Sequence, residues 1–300
     1  MTKLVRGLAA SCLLAFGPPV ASAQSLSPTL QKIRDSGTIT IGNRDSSVPF
    51  SYLDDGQKPI GFSLDLCNLV VAKIKARLGQ PDLKVTYQAV NSSNRIPLVK
   101  NGTVDIECGS TANTIARQQE VAYSVIFYAP QFKWISLKSS GFKTTDDLKG
   151  KTVAVTQGTN TSQFVARLNT EKGLGMKILQ GKDYAESFLL VETGRASAFM
   201  EDDILLAGLK ATAGSPDNFA FLTDAFPSDP YGVMMSKGDG EFKQLVDDAL
   251  KEAMKSGLYD RLYNKWFESP IPPKNINLNF PQSEKLRELV KVPSDKANGQ

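Results

Sequence analysis

Apolar and polar positions along this chain follow two periods that take turns. Runs with the two-residue period of a strand occur at 38–43 (TITIGN), 83–90 (LKVTYQAV), 103–109 (TVDIECG), 131–137, 151–156 (KTVAVT), 196–200 (ASAFM) and 231–236 (YGVMMS). Between them lie helical stripes. Leu66, Cys67, Val70, Val71, Ile74 and Leu78 fall on one helix face, and Phe242, Leu245, Val246, Ala249, Leu250, Ala253 and Met254 on another. Ser27-Pro28 reads as an N-cap followed by proline in the first turn, with Gly37 closing that helix. Strands alternating with helices predict an α/β fold with mainly parallel sheets. The strands near 131–137 and 231–236 bracket a middle block with its own strands and helices, a candidate second lobe. From about Ser269 onward Pro270, Pro272 and Pro273 predict an extended strap carrying one short helix near 283–290.

Open α/β sheets bind ligands beyond the carboxyl ends of their strands, so the residues following each strand matter most. Arg44 follows the first; Ser92 and Arg95 (NSSNR) follow the second; Ser110 and Arg117 (STANTIAR) follow the third. In the middle block, 151–156 leads through QGTNTS into a helix start, and 196–200 leads into Glu201, Asp202 and Asp203. One block offers cations, the other an anion and a helix N-terminus. Free N–H groups at a helix start favour an anion, and arginine adds a planar fork that grips both oxygens of a carboxylate. Arg117 with the N–H groups near Ser110 to Ala112 therefore reads as a carboxylate clamp. QGTNTS lacks the spacing and the lysine of a nucleotide phosphate loop, and no GxGxxG follows any strand.

Composition narrows the chemistry. The chain has no histidine, which removes histidine-dependent triads, histidine acid–base catalysis and most zinc sites; neither a metal nor a cofactor is expected. Residues 1–23 read as a cleaved signal peptide: Lys3 and Arg6, a short apolar run from Gly7 to Phe16, then Ala21-Ser22-Ala23. A lipoprotein site at Cys12 is disfavoured because almost no apolar segment precedes it. Without Lys3 and Arg6 the 35 basic residues become 33 against 31 acidic ones, too near balance for nucleic acid to be a main partner. The two remaining cysteines, Cys67 and Cys108, point toward one core; packed thiols and a disulfide are both open readings.

The strings IGNRDSSVPFSYLDDGQKPIGFSLDLC, SSNRIPLVKNGTVDIECGSTANTIARQ, DDLKGKTVAVTQGT, ETGRASAFMEDDILLAG and YDRLYNKWFESPIPPKNINLNF resemble the periplasmic glutamate/aspartate-binding proteins of polar amino-acid ABC transporters, family 3 solute-binding proteins. The resemblance runs from about Leu26 through the tail. It implies a type II periplasmic-binding fold, two lobes joined by two hinge strands, with 24–130 and 231–300 forming one lobe and 131–230 the other. It also implies a monomer that captures L-glutamate or L-aspartate in the periplasm and delivers it to membrane permease subunits. Carried over position by position, Arg117, Ser110 and the backbone N–H groups of Ala112, Thr159 and Asn160 hold the α-carboxylate, and Asp202 pairs the α-ammonium. Arg44, Ser92 and Arg95 hold the side-chain carboxylate. Three arginines and one aspartate would leave about two positive charges around a ligand of net charge −1. The chain departs from the pattern at Ala112, where threonine is expected, and at Tyr184, where histidine is expected, so the glutamate-versus-aspartate preference is open.

Two other readings remain. One is an enzyme on the same scaffold, a dehydratase of cyclohexadienyl or arogenate type, for which Glu107 and Glu201 are the acid candidates, their plainer reading being surface or hinge carboxylates. The other is a binding protein for another amino acid such as glutamine. A ligand-sensing ectodomain is disfavoured because no membrane or signalling segment is evident near the end of the chain.

Overall fold

The computed structural model describes Thr2 and residues 26–299. The expected leader at 1–23, with Cys12, therefore lies outside the described residues apart from Thr2. The helix Pro28–Ser36 starts and stops where its signals are: Ser27 is the N-cap residue, although its side chain makes no capping bond, and Gly37 takes φ 62°, a left-handed conformation that suits glycine.

Two five-stranded sheets organise the molecule. The first runs, in spatial order, Lys84–Ala89, Thr38–Asn43, Ile106–Glu107, Met234–Ser236, Val121–Tyr123. The second runs Lys177–Gly181, Thr152–Thr156, Ala198–Asp202, Gln131–Leu137, Phe219–Pro227. The two orders share one logic. In each sheet the first three strands are parallel, the fourth is antiparallel to both neighbours, and the fifth runs with the first three. The reversed strands, Met234–Ser236 and Gln131–Leu137, are the two that bracket the middle block, and each arrives from the other sheet's side.

The two crossing segments lie side by side. The Tyr231 N–H donates to the Tyr128 carbonyl (2.8 Å) and the Phe127 N–H to the Tyr231 carbonyl (2.9 Å). Beside them Phe50, Phe62, Phe127, Tyr128, Tyr231 and Phe267 pack edge-on and stacked, burying a large apolar area where the chain changes sheets.

Pattern and structure agree on the helix Gly240–Lys255, whose predicted stripe is buried apart from half-buried Leu245. Asp247 is buried on that face as well, accepting the Val125 N–H (2.8 Å) and the Lys243 ammonium (2.6 Å). Within the two five-stranded sheets, three strands had no clear signature: Val121–Tyr123, Lys177–Gly181 and Phe219–Pro227. All sit at sheet edges, and the last is broken by a bulge between Phe221 and Ala225, so none shows the sustained alternation of a half-buried strand. The expected strand at 103–109 shortens to Ile106–Glu107.

Cys67 and Cys108 are joined as a disulfide, with Cα atoms 6.4 Å apart. It ties the helix Phe62–Leu78 to the end of the short strand Ile106–Glu107, just ahead of Ser110. The tail carries the helix Glu284–Lys291, capped by the Ser283 hydroxyl, as the strap reading expected. Among the described residues no helix is long and apolar enough to cross a membrane.

Candidate functional site

Every polar position singled out above stands at or beyond a strand's carboxyl end, and the contacts link them across the space between the sheets. Arg44 follows Thr38–Asn43 and is 1% exposed. Its N–H donates to the Ser51 hydroxyl (2.8 Å), fixing the turn. Its guanidinium lies over the Tyr184 ring, 4.7 Å from the centroid, a cation–π contact brought from the other sheet. Both terminal nitrogens are buried with no hydrogen-bond partner among the described residues. Burial opposes the charge, but Tyr184 and Glu107 more than offset it and raise the pKa above the ordinary arginine value. Gly109 makes this placement possible: a Cβ there would stand 2.8 Å from the Arg44 Cγ and overlap the Glu107 carboxylate.

Arg95 opens the helix Arg95–Lys100 and is equally buried. Its Nη1 donates to the Thr111 hydroxyl (2.5 Å) and stands 3.9 Å from the Glu107 carboxylate, to which the Thr111 hydroxyl in turn donates. Its Nε and the buried hydroxyl of Ser92 have no partner among the described residues. Burial, then the like charge of Arg117, lowers the Arg95 pKa.

Arg117 differs from the other two. It lies in the short helix Ile115–Gln118, capped by Thr114, and is only half-buried. Its Nη1 donates to the Ala112 carbonyl (3.0 Å) and its Nη2 to the Gly158 carbonyl (3.1 Å), so it bridges the two halves. Ser110 is buried, its hydroxyl 3.5 Å from that of Tyr184. Ala112 is buried opposite Tyr231 in an isolated antiparallel bridge whose hydrogen bonds are made by its neighbours, from the Asn113 N–H to the Pro230 carbonyl (2.7 Å) and from the Gly232 N–H to the Thr111 carbonyl (3.3 Å), so the bridge does not engage the Ala112 N–H.

The middle block answers from the opposite side. Thr159 caps the helix Asn160–Glu171, accepting the Ser162 N–H (3.0 Å), and the Asn160 amide donates to Asp229 (3.0 Å). Gly158, at φ +76°, packs so closely that a Cβ would stand 2.9 Å from the Ser92 backbone. Asp202 closes the strand Ala198–Asp202 and is fully enclosed, with the Ser228 hydroxyl donating to one oxygen (2.5 Å) and the Tyr231 hydroxyl to the other. Burial, then neighbouring Glu201, raises the Asp202 pKa well above the ordinary carboxylate range.

Glu107 and Glu201 are neither surface nor loosely held hinge carboxylates, being 0% and 1% exposed. Glu201 accepts the Thr161 hydroxyl (2.7 Å) and the Asp202 N–H (3.1 Å), and burial pushes its pKa up to about 7. They correct the charge count: with Glu107, Glu201 and Asp202 the arginines meet three carboxyl groups rather than one. Sequence reasoning also missed Thr111, Ser228 and Tyr231. Thr111 was legible as the polar residue between Ser110 and Ala112, whereas Ser228 and Tyr231 reach Asp202 from a crossing segment with no motif.

An open groove of about 890 Å³ lies against Ser92, Ser93, Arg117, Gln157, Gly158 and Gln163. Arg44 and Arg95 do not line it and are buried. The arrangement as a whole offers guanidinium donors without hydrogen-bond partners among the described residues, a helix start and a hydroxyl-held carboxyl group, a constellation that binds charge at several points.

A family model described as bacterial extracellular solute-binding proteins, family 3, matches residues 39–269. A curated L-glutamate/L-aspartate-binding protein of Pseudomonas aeruginosa is 48% identical over 276 residues, covering 92% of this chain and 91% of that protein. A glutamate/aspartate import solute-binding protein of Salmonella typhimurium is 44% identical over 295 residues, covering 98% and 96%. Among solved structures, an ancestral arginine-binding protein bound to glutamine superposes with a TM-score of 0.68 at 28% identity, covering 77% of this chain and 98% of that one.

Proposed function

This chain belongs to the bacterial extracellular solute-binding proteins, family 3, and on that premise we propose that it captures L-glutamate or L-aspartate between its lobes and passes it to an ABC transporter permease. The observation that carries the acidic ligand is Arg44: a fully buried guanidinium, stacked on Tyr184, whose two terminal nitrogens have no hydrogen-bond partner among the described residues; the buried Ser92 hydroxyl likewise has none. Leaving such donors unsatisfied costs more than pairing them, so a carboxylate that enters is held strongly. The names of the two curated relatives point to the same ligands.

In this reading Arg44, Ser92 and Arg95 take the side-chain carboxylate. Arg117, Ser110 and the N–H groups at Ala112, Thr159 and Asn160 take the α-carboxylate, and Asp202 takes the α-ammonium. Tyr184 serves by stacking under Arg44 instead of adding charge. The lobes comprise 24–130 with 231–300, and 131–230; the chain acts as a periplasmic monomer once its leader is removed. Glu107 and Glu201 serve as internal partners, and no catalytic role is assigned to them: the first is engaged with Thr111 and Arg95, the second with Thr161.

Titration calorimetry with the common amino acids tests this. Glutamate or aspartate binding at micromolar affinity or tighter, about −8 kcal/mol or better, is the expected result. Glutamine or a basic amino acid binding in their place would overturn it, and turnover of arogenate or prephenate would move the chain into the dehydratase class.

A further inference from the structure

The match to the family model ends at residue 269, yet the chain continues for a strap, a helix and a final segment that turns back toward the crossing. That last segment is anchored on the first sheet's side by several independent bonds. The Ser294 carbonyl accepts the Ile126 N–H (2.8 Å), the Asp295 carbonyl accepts the Asn113 amide (2.8 Å), and the Asp295 carboxylate meets the Lys243 ammonium at 2.9 Å. Ala297 is buried. Beyond these anchors the Asn298 side chain crosses over: its Nδ2 donates to the Ser228 carbonyl (2.8 Å) and stands 3.5 Å from the Asp229 carboxylate.

What lies behind those two acceptors gives the contact its consequence. Ser228 donates its hydroxyl to Asp202, and Asp229 holds the Asn160 amide at the helix start. One side chain from the tail therefore steadies the segment that aims Asp202 from one side and engages the helix N-terminus from the other. We propose that Asn298 is a positioning residue for ammonium recognition: seated by the Ser294–Asp295 anchor, it holds Ser228 and Asp229 so that Asp202 is oriented toward the amine of the bound amino acid. This rests on the amino-acid reading above and adds to it a residue outside the cleft and beyond the part of the chain that the family model matches.

Asn298 acts here without touching the ligand. A hydrogen bond to a fixed carbonyl is lost by shortening the side chain, and one such bond corresponds to about tenfold in an equilibrium constant. The loss should fall chiefly on the amine: the arginines that meet the carboxylates are held by Thr111, Glu107 and Ala112, and Asp229, which Asn298 only approaches at 3.5 Å, holds the Asn160 side chain and not the backbone N–H assigned to the α-carboxylate. Asp295 is kept separate in the test because it anchors the segment without touching Ser228.

The test compares L-glutamate with glutarate, the same dicarboxylate without its amine, by calorimetry on the full mature chain. In Asn298→Ala, L-glutamate binding should weaken about tenfold with glutarate binding unchanged. Asn298→Asp, which keeps the shape but loses the donor and sets a carboxylate against Asp229, should weaken L-glutamate at least as much. Asp295→Ala, which loosens the anchor, should give a smaller loss with the same amine dependence. Equal losses for both ligands would mean that the tail only supports the fold, and no loss in either Asn298 variant would mean that it does not position Asp202; each result overturns the proposal. If the unaltered protein bound no amino acid at all, the functional reading itself would fall and take this inference with it.

Discussion

Arg44, Arg95 and Arg117 read alike in the sequence, as cations after strands, and the structure separates them. Arg44 and Arg95 are buried donors with unpaired nitrogens, whereas Arg117 already spends two nitrogens on the Ala112 and Gly158 carbonyls. Arg117→Ala should accordingly abolish binding of every amino acid, since it removes both a carboxylate donor and a link between the halves. Arg95→Ala should chiefly weaken acidic ligands, and calorimetry with glutamate against glutamine separates the two effects. Thr111→Val tests the support beneath Arg95. It removes an acceptor from the arginine and a donor from Glu107 together, and a loss of about 2 kcal/mol in glutamate affinity, roughly thirtyfold, is expected. Sequence placed the arginines because chemistry after a strand end is local information. It could not place Ser228 and Tyr231 on Asp202, since that contact depends on how a crossing segment returns 26 and 29 residues later.

Elements were legible in proportion to how strongly burial imprints a period. Thr38–Asn43, Gln131–Leu137 and Gly240–Lys255 have one face or both enclosed and were visible, while three of the four edge strands of the two large sheets were not; the fourth, Lys84–Ala89, showed itself by the alternation of Val85, Tyr87 and Ala89 although it is largely exposed. The pairing of Cys67 with Cys108 was open for another reason: a stripe says which way a cysteine points and says nothing of its distance from another. Its 41-residue separation gives a chain-entropy contribution of about 4 kcal/mol, so reduction should lower the midpoint of chemical unfolding while far-UV circular dichroism of the folded form stays unchanged. The loop at Gly158 is a sharper case, because a side chain there meets left-handed backbone and the Ser92 backbone at once. Gly158→Val should hold the two halves apart and weaken the ligand by at least a hundredfold, seen as a larger radius of gyration by solution scattering with ligand present.

At the scale of the molecule the buried carboxyl groups link stability to pH. Glu201 is raised from 4.5 to about 7, so between those values the folded protein holds a proton that the unfolded chain has lost. The sign follows: stability of the ligand-free protein falls as pH rises through this window, by about 3 kcal/mol, and Asp202, raised in the same sense, adds to the fall. Thermal unfolding from pH 4.5 to 8 should show this slope, and Glu201→Gln should flatten it.

The two crossing segments, bonded to each other at Tyr128 and Tyr231, confine relative motion to a narrow set of paths, because two adjoining ribbons resist twist and shear more than they resist a common bend. A body with one soft coordinate needs one ruler. Dyes at Tyr87 and Leu189, both exposed and on opposite sheets' sides, would report that coordinate by energy transfer, making occupancy readable from a single distance and the chain the frame of an optical sensor for its own ligand.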